Sequence, residues 1–362
     1  MLVELTIIMP KAILSGNHTG ASSSNQKIRK FLLQELVSNG WEISSTYGDQ
    51  KITLSNIEEK VRGTDAFVFM PNAQLEDIFY AVSIFVGYQT LDPHLKGKPA
   101  VVLNSDGSWS PLFELLDQLE LFGTIRQSYR KFLLHATEPV EAIANLSYAA
   151  KGGVPDSGRE KIISDPTESF ETPTPTDIKS KVCVFCSAST NAEDYIKDGY
   201  ALGKLLANHN FGCVSGAGTT GVMGSVVRGS VEAGGWTAGS NVPHIIEIEG
   251  LPKGLSSFWL RPDIYTRMEV MIERSDAFII FPGGAGTVQE LLALLIFKQS
   301  GNPLMAGKPI ILFNRIDKKL QVPFWDKLIT LLNTLCEKEL FNVVTELKEI
   351  ITTLDQTLKK WR

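Results

Sequence analysis

Cysteine is scarce here, with four in 362 residues, too few for a disulfide scaffold. Cys183 and Cys186 form a single C-x-x-C inside an apolar run, and no second pair completes a zinc site, so they read with Cys213 as buried thiols. Basic charge is not in excess either. The net charge of -5 excludes broad nucleic-acid or anionic-membrane binding, so an anionic ligand would have to be held by a local pocket. Long hydrophobic runs are also missing: the longest, around Phe79 to Tyr88, is far too short to span a bilayer. The N-terminal MLVELTIIMPK lacks a basic segment followed by a long apolar stretch, which leaves the cytoplasm as the expected location.

What is present is an ordinary globular balance, 43% hydrophobic and 21% charged, at a length that favours two domains. Residues 151–180 are rich in Pro, Ser, Thr, Gly and charge, with no apolar periodicity, and predict a solvated linker between a domain at 1–150 and one at 181–362. On both sides short β-rich runs alternate with amphipathic helical stretches, the pattern of parallel strands joined by crossover helices. In the C-terminal half, strands are predicted at 182–186, from Phe211, weakly near Trp236 to Ser240, at 277–281 and at 309–313. The expected fold class is α/β, with two Rossmann-like doubly wound parallel sheets.

An internal repeat supports this reading. TDAFVFMP (64–71) resembles SDAFIIFP (275–282), and GKPAVVLN (97–104) resembles GKPIILFN (307–314), at offsets of 211 and 210 residues. The same offset sets Asn72 and Ala73 opposite Gly283 and Gly284, Phe79 opposite Glu290, and Asn56 opposite Arg267. The N-terminal copy is therefore chemically emptied. It is also shorter, by about the size of a strand, a glycine loop and a helix. Its expected role is structural or regulatory.

Two glycine loops in the C-terminal half each follow a predicted strand and open a predicted helix. One runs Ser215-Gly216-Ala217-Gly218-Thr219-Thr220-Gly221-Val222-Met223-Gly224, the other Pro282-Gly283-Gly284-Ala285-Gly286-Thr287-Val288-Gln289-Glu290. Glycine lets backbone approach a ligand, and the unpaired N–H groups of a helix start point at an anion, which makes a phosphate the natural guest. Thr219, Thr220 and Thr287 add hydroxyls near the helix starts. Either loop alone could be a tight packing turn, but at the carboxyl ends of one parallel sheet both would converge on one crevice. Glu290 falls in the first helical turn after its loop, where it suits a sugar-facing acid or, more blandly, a carboxylate complementing the helix dipole. In YTRMEVMIERSD, Tyr265, Met268 and Ile272 are spaced to face the core, leaving Arg267 and Arg274 as basic candidates.

From Lys181 to about Val344 the chain resembles the LOG family, cytokinin-activating phosphoribohydrolases long mislabelled as lysine decarboxylases. The likeness rests on Pro-Gly-Gly-x-Gly-Thr-x-x-Glu at 282–290, an upstream arginine at the spacing of Arg267, Gly-x-Gly-(x2)-Gly-x-Met-Gly at 216–224, and the opening VCVFCSAS. The resemblance implies hydrolysis of a nucleoside 5′-monophosphate to free base and ribose 5-phosphate, with Arg267 and Glu290 catalytic. Gly283, Gly284, Gly286 and Thr287 would bind the phosphate, with Gly216, Gly218, Thr219, Thr220, Gly221, Met223, Gly224 and Ser187 as further binding residues. Met268 departs from the lysine that commonly follows the arginine, and Ser215 to Gly218 departs from Tyr-Gly-Gly-Gly, which bears on substrate preference. A homodimer is expected, with no metal or other cofactor. A binding-only carrier would need the glycines but not the Arg267 and Glu290 pair. Decarboxylation would need a Schiff-base lysine, and none stands out in the loop context. Hydride transfer on a dinucleotide would need an acidic ribose reader after the first loop, and none follows at the usual spacing.

Overall fold

Apolar runs such as AFVF and AFII carry no polar alternation because parallel strands are covered on both faces, and each becomes a fully buried strand. The computed structural model describes residues 9–16, 22–43, 54–152, 167–190, 192–336 and 340–359. The N-terminal run at 1–8 and residues 153–166 of the predicted linker lie outside the described residues.

The first sheet contains β1 (Lys11–Leu14), β2 (Glu42–Ile43), β3 (Ala66–Phe69), β4 (Ala100–Leu103) and β5 (Leu133–Ala136), ordered β2-β1-β3-β4-β5. The helices that alternate with these strands along the chain are α1 (Ser23–Ser38), α2 (Leu54–Arg62), α3 (Leu75–Gln89), α4 (Ser110–Leu121) and α5 (Pro139–Gly152). The second sheet contains β6 (Ser180–Phe185), β7 (Phe211–Ser215), β8 (Thr237–Asn241), β9 (Ser257–Leu260), β10 (Ala277–Ile280), β11 (Ile310–Phe313) and β12 (Asn342–Val344), ordered β12-β11-β10-β6-β7-β8-β9. Its helices are α6 (Glu193–Asn208), α7 (Gly221–Glu232), α8 (Pro243–Glu249), α9 (Ile264–Glu273), α10 (Ala285–Gln299), α11 (Asp326–Leu335) and α12 (Leu347–Lys359). Every pairing within each sheet is parallel. The chain divides into two compact units, one built on each sheet, with residues 89–91 and 111–128 belonging to the second. No helix among the described residues is long and apolar enough to cross a membrane.

The repeat extends well beyond the two segments legible in the sequence. Strands β2-β1-β3-β4-β5 correspond in order to β7-β6-β10-β11-β12, and the anchoring bonds recur. Asp65 accepts from the Lys11 amide at 2.8 Å, and Asp276 from the Lys181 amide at 2.7 Å. Lys98 Nζ donates to the Val61 carbonyl, at the end of α2, and Lys308 Nζ to the Ile272 carbonyl, at the end of α9, both at 2.8 Å. Lysine there satisfies carbonyls that a helix end leaves over. Asn104 accepts from the Trp109 amide as Asn314 does from Trp325, and Glu141 caps Thr137 as Glu349 caps Thr345. Among the described residues, the first unit has no counterpart of α7, β8, α8 and β9. The difference is two strands and two helices, larger than the sequence suggested.

Part of the predicted linker is tied down. Phe170 pairs antiparallel with Phe258 on β9, Thr172 donates its amide to Ser257 Oγ at 3.0 Å, and Trp259 Nε1 donates to Glu171 at 2.6 Å. An open strand edge is covered this way. Composition misses it because the pairing is made by backbone.

Candidate functional site

The second sheet reverses direction beside β6: the chain moves outward through β7, β8 and β9, then returns to place β10 on the other flank. Loops leaving the carboxyl ends of β6 and its neighbours therefore open a crevice. Both glycine loops start there, one after β7 and one after β10. Ser187, just past β6, joins them, since its amide donates to the Pro282 carbonyl at 3.2 Å and its carbonyl accepts from the Met223 amide at 3.0 Å. The Ser187 hydroxyl turns inward to accept from the Ser189 and Thr190 amides.

Arg267 sits one turn into α9. The helix start is fixed by Asp263, whose carboxylate accepts from the Tyr265 and Thr266 amides at 2.9 and 2.8 Å, a side-chain cap. Only 8% exposed, Arg267 donates through Nε to the Ser240 carbonyl at 2.9 Å and through Nη2 to the Gly216 carbonyl at 3.4 Å. The same Nη2 lies 4.0 Å from Glu290 Oε1. Arg274, the other candidate, is a half-exposed residue that pairs with Glu171. Tyr265, Met268 and Ile272 are buried, as the helical spacing predicted.

Glu290, 6% exposed, has its pKa pushed up to about 7, because burial penalises the anion; Arg267 opposes this shift and Glu249 adds to it. Burial also pushes the Cys186 thiol up, and Glu290 contributes there, which places the carboxylate near the end of β6. A carboxyl group titrating near neutrality can accept or release a proton at ordinary pH.

Close approach explains the glycines. A β-carbon on Gly216 would stand 2.0 Å from Arg267 Nη2, and one on Gly218 would stand 2.9 Å from Glu249 Oε2. Gly221 has a φ of +62°, with the Ser187 carbonyl 2.7 Å from where a β-carbon would lie. Gly224 packs against the Thr219 backbone, Gly283 against the Thr287 side chain, and Gly284 against the carbonyl of Thr124 in the same compact unit, while Gly286 faces open space. The Met223 sulfur accepts from the Gly218 amide at 3.1 Å. Thr220 Oγ1 donates to the Ala188 carbonyl at 2.7 Å and Thr219 Oγ1 to the Glu249 carbonyl, so both hydroxyl protons tie the loop to neighbouring backbone. The Ala285, Gly286 and Thr287 amides lie in the first turn of α10, ahead of Val288, whose amide bonds to the Gly284 carbonyl at 3.1 Å.

Sequence reasoning missed Glu249, at the end of α8 and 7% exposed. The only local signal was the helix-terminating Gly250, because the contact with Gly218 links residues 31 apart. Asp263 and Ser240 were missed as well, although an aspartate before a helical run signals a cap.

Residues 223–360 match the family described as "Possible lysine decarboxylase". The chain is 31% identical over 110 residues to the cytokinin riboside 5′-monophosphate phosphoribohydrolase of Mycobacterium tuberculosis, covering 30% of this chain and 59% of that protein. It is 36% identical over 138 residues to a probable cytokinin riboside 5′-monophosphate phosphoribohydrolase of Oryza sativa subsp. japonica, covering 37% of this chain and 54% of that protein. The chain thus spans little more than half the length of these relatives. Among solved structures, the molybdenum cofactor carrier protein from Chlamydomonas reinhardtii aligns over 50% of this chain and 99% of its own, at 23% identity and a TM-score of 0.38. The chain is therefore similar, through residues 223–360, to the family described as possible lysine decarboxylase, and the two relatives named above carry the phosphoribohydrolase name.

Proposed function

We propose that this protein hydrolyses the N-glycosidic bond of a nucleoside 5′-monophosphate, giving the free base and ribose 5-phosphate. The observation that carries the reading is the buried pair of Arg267 and Glu290, 4.0 Å apart, where two glycine loops meet. The amides at the start of α10 suit the phosphate, and they leave Glu290, one turn along, close to the sugar. Breaking the glycosidic bond sends its electron pair to the base and leaves an electron-poor, oxocarbenium-like C1′, which a carboxylate stabilises. Water adds at C1′ and gives its proton to the Glu290 carboxylate, which passes it to the base nitrogen that held the sugar, so the base leaves neutral and the carboxylate is restored. Arg267 holds Glu290 in place and balances its charge and that of the phosphate. The names of the relatives agree with this chemistry. The reading also takes the chain to act in the cytoplasm as a homodimer without metal or other cofactor.

The test is a panel of nucleoside 5′-monophosphates assayed for ribose 5-phosphate. Glu290→Gln should lower kcat by about 10²-fold or more while nucleotide affinity stays within a few-fold. Full turnover in that variant refutes the role of Glu290, and tight binding without turnover by the unaltered chain makes it a nucleotide binder instead.

A further inference from the structure

Residues 111–128 precede the linker in sequence yet belong to the second compact unit, the one that carries the candidate site. They are fastened around the start of α11. The Lys327 amide donates to Gln118 Oε1 at 3.2 Å, Lys327 Nζ lies 2.7 Å from Glu114 Oε2, and the buried Phe122 ring stacks on Phe324 with centroids 4.6 Å apart. The stack of two buried rings counts for more here than the exposed ion pair.

Beyond Phe122, α4 ends in a glycine turn. Gly123 takes a φ of +70° and its amide donates to the Glu120 carbonyl at 3.0 Å, while the Thr124 amide reaches back to the Leu119 carbonyl, also at 3.0 Å. This is the bond pair of a Schellman cap, and it needs glycine at the turn. Thr124 Oγ1 donates to the same Leu119 carbonyl at 3.0 Å, so Thr124, 3% exposed, is tied twice to the helix it follows. Its own carbonyl points at the second glycine loop: the oxygen lies 2.5 Å from the place a β-carbon on Gly284 would take, and the carbonyl carbon 3.4 Å.

That contact says why residue 284 is glycine. As the N-cap of α10 it has φ −105° and ψ −157°, an extended backbone that any residue adopts, so conformation does not demand glycine there. Space does. The corresponding residue of the first unit, Ala73, carries a β-carbon, is buried, and donates its amide to Ser108 Oγ at 3.1 Å. The strand-to-helix turn common to both units therefore tolerates a side chain at this point, and the close approach of Thr124 is what removes it from the second.

We propose that Thr124 is a positioning residue: its tethered carbonyl sets the place of Gly284, and through it the start of α10 that receives the phosphate of the ligand. The inference rests on the phosphate reading given under the proposed function. Glu290, one turn along, is held separately by Arg267, whose Nε is tied to the Ser240 carbonyl. Loosening Thr124 weakens a grip on phosphate that is the same before and during bond cleavage, and leaves the chemical step alone.

The test uses the full-length chain, with ribose 5-phosphate titrated calorimetrically and hydrolysis of nucleoside 5′-monophosphates followed beside it. Thr124→Gly removes the hydroxyl tie and frees the backbone; it should weaken ribose 5-phosphate binding and raise KM about tenfold each, with kcat within about twofold. Thr124→Ser, which keeps the hydroxyl, should hold both to within about twofold of the unaltered chain. Gly284→Ala alone should weaken binding about 10²-fold, but should add less than about tenfold in the Thr124→Gly chain, where the carbonyl can give way. Unchanged binding in Thr124→Gly, a loss in kcat instead of KM, or strictly additive losses overturn the inference. Should Gly284→Ala not fold, the Thr124 variants decide it alone. If the unaltered chain hydrolyses no nucleotide while ribose 5-phosphate binding follows this pattern, hydrolysis falls and the positioning role stands. If it hydrolyses nucleotides and Thr124→Gly changes nothing, only the positioning role falls. A chain that neither binds ribose 5-phosphate nor hydrolyses any nucleotide overturns both.

Discussion

Replacing Glu290 with glutamine should make the fold less sensitive to alkaline pH at the same time as it stops turnover. Burial raises the carboxyl from 4.5 to about 7, so between those values the folded chain retains a proton that the unfolded chain has released. Stability changes with pH in proportion to the protons bound by the unfolded state minus those bound by the folded state, and here that difference is negative. The Glu290 contribution therefore falls as pH rises through this window and levels off above about 7. At about 1.4 kcal/mol per tenfold change in the proton equilibrium, the full effect is about 3 kcal/mol, most of it accumulated between pH 5 and pH 8. Glutamine has no such titration. The attraction of Arg267 for the carboxylate is already contained in the value near 7, so its loss in the variant adds no further pH-dependent contribution. The assay is urea denaturation of both chains at pH 5, 6, 7 and 8, comparing the difference in stability. That difference should move in favour of the variant by about 2 kcal/mol or more from pH 5 to pH 8. A constant difference, or one that moves the other way, would refute a raised Glu290 pKa and with it the account of how this acid works near neutrality.

Gly216→Ala should act through Arg267, because the new methyl would stand 2.0 Å from Nη2 while Nε remains tied to Ser240. Displacing the guanidinium should lower kcat/KM by about 10²-fold with little change in the melting temperature, and unaltered kcat/KM would show that the arginine tolerates the shift. Lys308→Met and Lys98→Met each remove an ammonium from the carbonyls ending α9 and α2, and each should cost about 1.5–3 kcal/mol in urea denaturation. Loss confined to one of them would contradict their equivalence.

The sheets were legible because parallel strands buried on both faces appear as unbroken apolar runs, and because two of them recur at a constant offset. AFVF and AFII become central strands of their sheets, and Arg267 and Glu290 emerge next to each other from motifs 23 residues apart. Less legible was everything that depends on contacts distant in sequence. Strand β9 and the antiparallel contact of Phe170 were hidden inside polar, Ser-rich sequence, since backbone pairing at an edge leaves no hydrophobic period. Glu249 looks like any glutamate ending a short helix until the Gly218 backbone is placed 31 residues away in sequence. The threonines of the first loop were expected as ligand donors, but the Glu249 and Ala188 carbonyls that take their protons follow from the folded loop and not from its sequence.

The two units separate what holds this architecture together from what equips it. Asp65 and Asp276, Lys98 and Lys308, Asn104 and Asn314, and Glu141 and Glu349 all tie strand ends or helix ends to backbone, and a unit that lacks any of these leaves polar groups unsatisfied. Among the positions that differ are those of Glu290, Gly283 and Gly284, which the 211-residue offset sets opposite Phe79, Asn72 and Ala73. Phe79, 1% exposed, occupies the place corresponding to Glu290, and among the described residues the first unit offers no arginine corresponding to Arg267 that would offset the desolvation of a carboxylate buried there. Phenylalanine is the stabilising choice at that position, worth about 1.5–3 kcal/mol by burial alone. The carboxylate of the second unit is therefore tolerable only as part of a set: the arginine, the glycine that makes room for it, and the loop that fixes both. None of these is needed for the fold, as the first unit demonstrates by forming the same five-stranded arrangement without them.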